Sequence, residues 1–292
     1  MWMHLCRGFA PLVALFLLMP AAFTKPLAGA YRDVEYSQAG GTHLCFDAVI
    51  PDGAGPFPAA VVVHGGGWVR GNRRTDVEPL FAPLEAARIA WFSIDYRLAS
   101  DVTQLGTAIE DVRNAILFIK EHASEYRVDP ERIALIGESA GGQLAAMAAL
   151  DPAPRAQVRA VVALYAPTDL AALANAPGMI PDQIRQALLG TPFEKVILTR
   201  LGQLSPVEHV TRSAPPFLLI HGTRDSLVPF TQSRAMCSRM QSAGADCELY
   251  PVEGGGHGIR WWESSDSRAA QAWKAEMVRW LNDHLRTQPS TE

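Results

Sequence analysis

Five short apolar runs punctuate the chain: Ala59 to Val63, Ile89 to Ile94, Ile133 to Ile136, Ala160 to Tyr165 and Pro216 to Ile220. Runs of this length without polar alternation predict strands buried on both faces. Longer amphipathic stretches separate them. The clearest is Thr107 to His122, which sets Ala108, Ile109, Val112, Ala115, Ile116 and Ile119 on one stripe at helical spacing. Pro79 to Arg88, Thr231 to Ala243 and Ser267 to Leu285 predict further helices, and Cys247 to Val252 a last strand. Near the start, Tyr31 to Ser37 and His43 to Val49 predict an antiparallel pair turning at Ala39-Gly40-Gly41, followed by a Pro- and Gly-rich surface loop from Pro51 to Pro58. Buried strands alternating with helices demand right-handed crossovers. The expected class is therefore α/β, with a mostly parallel central sheet, an antiparallel start and helices on both faces. Thr168 to Ser213 breaks the alternation. It is rich in Ala, Leu and Gln with scattered prolines, and predicts a small helical cap insertion over the sheet. No internal repeat or linker divides residues 31–292, which read as one domain.

In open α/β sheets, sites form beyond the carboxyl ends of the strands. His64, Asp95, Ser139, Asp225 and His257 all fall just past predicted strand ends and are expected to share one edge. Ser139 stands out. It is the apex of Gly137-Glu138-Ser139-Ala140-Gly141, with an apolar strand before it and helix-forming Leu144 to Met147 after it. A strand–turn–helix of that tightness needs glycine two residues either side of the apex and lifts the hydroxyl clear of the sheet. A serine hydroxyl is a poor nucleophile near neutral pH, so a base must lie within hydrogen-bond reach and an anion must orient that base. Of eight histidines, His257 lies in the glycine-dense loop Gly254 to Gly258 directly after the last strand, where an imidazole can swing over the sheet edge. His64 and His221 follow buried strands and read instead as turn-shaping residues. Asp225, in H-G-T-R-D-S-L-V-P, is the expected acid. Asp169 reads as a helix cap, and Glu253 could reach His257 only by a cramped local turn. The triple glycine after His64 lets backbone N–H groups approach a developing oxyanion. It is not a phosphate cradle, because Trp68-Val69-Arg70-Gly71 supplies neither a lysine nor a helix start.

Composition narrows the setting. With 292 residues and 48% hydrophobic content, a full-sized core is affordable, and a net charge of −4 without any basic block argues against a nucleic-acid partner. Arg7, the apolar run from Pro11 to Phe23 and Ala28-Gly29-Ala30 together read as a secretory signal at residues 1–30. Its removal takes Arg7 and Lys25 but no acid, leaving −6. The expected protein is secreted or periplasmic, with no stable membrane association after cleavage. Cleavage also leaves Cys45, Cys237 and Cys247, none at metal-ligand spacing. Cys237, mid-helix, and Cys247, opening the next strand, either form a disulfide or pack as two buried thiols.

The motifs H-G-G-G-W, D-Y-R-L-A, D-P-E-R-I-A-L-I-G-E-S-A-G-G-Q-L-A, S-P-V-E-H-V, A-P-P-F-L-L-I-H-G-T-R-D-S-L-V-P and G-G-G-H-G occur in this order. Together they resemble the α/β-hydrolase superfamily and its hormone-sensitive-lipase-like esterases. Within these the similarity points to the secreted carbohydrate-esterase branch of bifunctional feruloyl and acetyl-xylan esterases, over Tyr31 to Leu285. The resemblance implies Ser139, Asp225 and His257 as the catalytic triad, the amides of Gly66, Gly67 and Ala140 as the oxyanion hole, and Trp68 and Tyr96 as candidate pocket residues. It implies no metal or organic cofactor. The expected substrate is a short-chain or oligosaccharide-linked carboxylic ester. Rival readings are an amidase or arylformamidase with the same triad, and a non-catalytic binding protein on a hydrolase scaffold. One departure bears on specificity: Thr103-Gln104-Leu105-Gly106 replaces the proline-containing stretch these esterases often carry before the following helix.

Overall fold

Sheet hydrogen bonding decides where the loops go. A computed structural model describes residues 29–99, 104–150, 154–175, 190–263 and 268–286. The signal read at residues 1–30 falls almost wholly outside the described residues, as do Thr103 and residues 176–189 of the cap. Eight strands form one sheet: β1 (Ala30–Ala39), β2 (Thr42–Val49), β3 (Phe57–Val63), β4 (Ala90–Ile94), β5 (Val128–Glu138), β6 (Ala160–Leu164), β7 (Phe217–Gly222) and β8 (Cys247–Val252). Their order is β1-β2-β4-β3-β5-β6-β7-β8. β1 runs antiparallel to β2 and β2 antiparallel to β4, and every later pairing is parallel.

The helices are α1 (Phe81–Ala86), α2 (Leu105–Glu121), α3 (Ala140–Ala149), α4 (Leu170–Asn175), α5 (Pro192–Gln203), α6 (Thr231–Ser242), α7 (Ile259–Glu263) and α8 (Arg268–His284). Within the expected cap, the described residues hold α4, α5 and a 3-10 turn at Pro206–His209. The helix expected over Pro79 to Arg88 is split. A 3-10 turn at Glu78–Leu80 leads into α1, which stops at Ala86, and Arg88 takes a positive φ of 58°. The strand expected over Ile133 to Ile136 runs from Val128 to Glu138; Phe57 lies opposite Val128 and Ala59 opposite Ile133, so the polar Asp129 to Arg132 segment is a register irregularity between two paired stretches.

Alternate side chains of the central strands enter two cores, which is why their apolar runs are continuous. Ala59, Val61, Val63, Phe92 and Leu135 pack toward α2, α3 and α6. Ala60, Val62, Ile136, Val162 and Leu218 pack toward α1, α7 and α8, where Trp262, Trp273 and Trp280 are fully buried. Large apolar side chains buried to this degree contribute roughly 1.5–3 kcal/mol each.

Register then aligns the strand ends. Val63 lies opposite Ile94 and Gly137, Glu138 opposite Leu164, Leu164 opposite Ile220, and Gly222 opposite Val252. The residues that follow each strand therefore emerge along one edge.

Candidate active site

At the middle of that edge β5 turns into α3 through Ser139, whose φ of 51° and ψ of −121° lie outside the regions an L-residue adopts freely. The turn closes because its flanking positions are glycine. A Cβ on Gly137 would meet the Gly141 carbonyl oxygen at 2.3 Å, and one on Gly141 would meet the His64 carbonyl oxygen at the same distance. The Ser139 amide donates to the Leu164 carbonyl at 2.9 Å, and its own carbonyl accepts from Gly142 and Gln143, so the strained residue is held from both sides.

Ser139 Oγ lies 2.9 Å from His257 Nε2, and His257 Nδ1 lies 2.7 Å from Asp225 Oδ2. Nδ1 faces a carboxylate and so carries the proton, leaving Nε2 to accept from the hydroxyl. Asp225 is buried, and its Oδ1 accepts from the amides of Leu227 at 2.9 Å and Val228 at 2.8 Å. Burial pulls its carboxyl upward, but hydrogen bonds from His221 and His257, together with the Val228 amide, outweigh burial and hold it well below the usual carboxylate range.

The competing groups lie elsewhere. Asp169 Oδ1 accepts from the Ala172 amide at 2.8 Å at the start of α4, and Glu253 accepts from Thr223 Oγ1. His64 Nδ1 is bound to the Gly65 carbonyl and its ring stacks on Tyr96, while His43, His122, His209 and His284 are engaged on or near the surface. Asp95, although just past a strand end, pairs with Arg73. That arginine also binds Asp47 and Asp33, forming a charged cluster that ties the segment after the glycine loop to β1, β2 and β4.

The glycine loop faces Ser139. Gly66 and Gly67 both have positive φ, 106° and 62°, and a Cβ on Gly66 would meet the Arg70 carbonyl oxygen at 2.1 Å. Among the described residues no acceptor takes the amide of Gly66 or Gly67. Ala140 opens α3, where amides point out of the helix end. A cavity of about 370 Å³ lies over the serine, lined by Gly66, Gly67, Val69, Arg70, Glu138, Ser139, Leu227 and His257. Of two larger hollows among the described residues, one is lined by charged side chains such as Asp47, Arg73 and Arg74, and in the other His209 Nε2 is bound to the Gln203 carbonyl while the Thr211 and Ser213 hydroxyls bind each other.

Trp68 and Tyr96 do not border this cavity. The Trp68 indole N–H donates to Gln143 Oε1 at 3.0 Å, and its ring packs on the core. Tyr96 is buried, with its hydroxyl 3.1 Å from the carbonyls of His64 and Gly65. Both support the glycine loop from below, because a buried aromatic with a polar tip goes where that tip finds a partner.

Two residues absent from the sequence reading complete the edge. Glu138 accepts from the Gly65 amide at 2.7 Å and from the Tyr165 hydroxyl. Tyr165 in turn accepts from the Ile259 amide at 3.1 Å and sets its ring edge-on to His257, centroids 4.7 Å apart. Burial raises the Glu138 carboxyl, opposed by hydrogen bonds from Tyr165 and Gly65. The sequence places Tyr165 inside the strand Ala160 to Tyr165, whereas β6 stops at Leu164 and leaves Tyr165 just past its end.

The sheet order, the serine at a strained strand-to-helix turn and the serine–histidine–carboxylate relay define an α/β-hydrolase of the hormone-sensitive-lipase-like type. The BD-FAE family model matches residues 47–240, and the chain belongs to that family. It is 35% identical over 213 residues to a probable carboxylic ester hydrolase, LipM, of Mycobacterium tuberculosis, covering 68% of this chain and 48% of LipM. It is 32% identical over 224 residues to the esterase LipC of the same organism, covering 70% of this chain and 53% of LipC. The chain thus spans about half the length of these curated relatives. Among solved structures, the butyrate-bound esterase 2 of Thermogutta terrifontis superposes with a TM-score of 0.72 at 26% identity, covering 89% of this chain and 95% of that one. The same esterase phosphorylated by paraoxon superposes with a TM-score of 0.69.

Proposed function

We propose that the protein is a serine esterase that cleaves carboxylic esters through an acyl-enzyme on Ser139. The observation that carries this reading is the relay from Ser139 Oγ through His257 to Asp225, at 2.9 and 2.7 Å. His257 takes the serine proton as Oγ attacks the ester carbonyl, and Asp225 holds the imidazole tautomer and balances the imidazolium. The amides of Gly66, Gly67 and Ala140 receive the oxyanion. His257 then returns the proton to the leaving alcohol and activates the water that frees the acid. Structures of the Thermogutta terrifontis esterase 2 bound to butyrate and propionate support a small acyl group, as does the modest cavity here.

The finer reading is an exported enzyme acting on short-chain or carbohydrate-linked esters. A bridge between Cys237 and Cys247 supports export, because disulfides persist in oxidising compartments. Membership of the BD-FAE family supports a carbohydrate-linked alcohol or acid.

The test is hydrolysis of nitrophenyl acyl esters of rising chain length beside matched anilides, acetylated xylan and methyl ferulate. The reading expects ester turnover that peaks at short acyl chains, is lost in Ser139→Ala and exceeds anilide turnover. Faster anilide cleavage would transfer the protein to the amidases. Mass analysis of the exported chain, expected to begin near Tyr31, tests the signal.

A further inference from the structure

His221, the next-to-last residue of β7 and four residues before Asp225, is wholly buried and takes no part in the mechanism above. Its contacts fix its state. Nε2 lies 2.8 Å from the Val228 carbonyl oxygen, which can only accept, so Nε2 carries a hydrogen. Nδ1 lies 2.7 Å from Ser233 Oγ in the first turn of α6, so in the neutral ring that hydroxyl donates to it. Nε2 also lies 3.4 Å from Asp225 Oδ2, the oxygen that receives His257. The Nε2 hydrogen is therefore shared between the Val228 carbonyl and the carboxylate.

This makes the ring the hub of the acid's loop. One side chain connects the end of β7, the carbonyl of the residue whose amide binds Asp225 Oδ1, the start of the next helix, and the carboxylate itself.

We propose that His221, held in one tautomer by the Val228 carbonyl and braced by Ser233, is a positioning residue for the reaction: it aims Asp225 at His257 and shares the carboxylate's charge. The proposal rests on the serine-esterase reading. Its consequence is that the carboxylate's charge is divided among several donors, and each donor removed leaves more of it to His257. The depressed Asp225 carboxyl, for which His221 is the leading cause opposing burial, agrees with that division. Other ionisable groups facing the relay are Glu138 and Tyr165, on the far side of His257. They are untouched by changes at positions 221 and 233.

The experiment compares wild type with Ser233→Ala, His221→Gln and His221→Phe in steady-state hydrolysis of nitrophenyl acetate across pH. Ser233→Ala removes the Nδ1 partner without emptying the site, His221→Gln keeps a donor, and His221→Phe keeps only the ring. The expected result is a loss in kcat of about tenfold for His221→Phe, the low end for outer hydrogen-bond partners of site groups, with KM little changed. His221→Gln should recover part of that loss. The acid limb of kcat/KM should move upward in His221→Phe, because a carboxylate with fewer donors holds the imidazolium more tightly. Ser233→Ala, which only loosens the ring, should lower kcat less and leave the limb near its wild-type place. A purely structural role would lower Tm and leave that limb in place. An unmoved limb with unchanged kcat in His221→Phe, or in His221→Leu should the phenylalanine variant not fold, overturns the proposal. Fluorophosphonate labelling of the wild type separates the two readings. No labelling at Ser139 overturns the esterase assignment, whereas normal labelling with indifferent variants overturns only the role of His221.

Discussion

At Gly66 a methyl group would fall 2.1 Å from the Arg70 carbonyl oxygen, a clash that only backbone movement relieves. Gly66→Ala should therefore swing the amide away from the oxyanion and cut kcat by about 10²–10³, the cost of losing one such donor, with KM nearly unchanged. Gly67 is a sharper control. A Cβ there meets nothing within 4 Å, so Gly67→Ala bears only the strain of its positive φ, on the order of 1–2 kcal/mol, and should lose stability more than rate. Steady-state kinetics beside thermal melts tell the two apart. The acid carries its own prediction. Asp225→Asn should cripple turnover, while Asp169→Asn and Glu253→Gln, in a helix cap and an exposed contact, should cost little. It should also change the pH dependence of stability. A carboxyl held lower in the folded state than in the unfolded chain contributes stability above its unfolded value near pH 4. That contribution disappears as pH falls toward the folded value. Melts from pH 6 to pH 3 should thus decline less steeply in Asp225→Asn than in wild type.

Among elements, α6 and β8 are joined by the Cys237–Cys247 bridge, with Cα atoms 5.4 Å apart, while Cys45 stays free. α6 follows the loop carrying Asp225 and β8 leads into the loop carrying His257, so the bridge braces both supports of the relay. In the chain-entropy picture closing so short a loop contributes roughly 2–3 kcal/mol. Denatured, unreduced protein cut after Ala30 should titrate one thiol, and reduction should lower Tm with little change in kcat. The charged cluster holds the opposite side of the site. Asp47 is almost wholly buried with arginines on it, and Asp47→Ala would leave Arg73 to Asp33 and Asp95 while the half-exposed Arg32 and Arg74 turn to water. The loss should stay below the ~3–5 kcal/mol of a stranded buried charge, readable by denaturant melts. Most elements were legible in the sequence because strands buried on both faces leave continuous apolar runs and α2 leaves a clean stripe. The strand containing Asp129 to Arg132 was not, since polar residues at a sheet margin carry no period. Nor were the directions of Trp68 and Tyr96. Each ring is fixed by a partner distant in sequence, Gln143 for one and the carbonyls of His64 and Gly65 for the other. The relay itself was readable because each member follows its own strand, whereas the contacts of Glu138 and Tyr165 require knowing which strand ends are neighbours.

For the molecule as a whole, eight strands in register carry the loops of the site to one edge, and the two cores behind them keep that edge rigid. Rigidity of this kind can sustain a backbone that would relax if left alone, and Ser139 is such a place. Glycine ordinarily destabilises relative to alanine, by about 0.5–1 kcal/mol in regular structure. At position 139 that order should reverse. Ser139→Gly and Ser139→Ala both lack the hydroxyl, yet only glycine accepts a φ of 51° with a ψ of −121° without strain. The glycine variant should melt above the alanine variant, both being inactive. Selection for heat resistance alone, with no demand for turnover, would therefore be drawn toward discarding the nucleophile. Thermostable libraries built on this chain need an activity screen at every round.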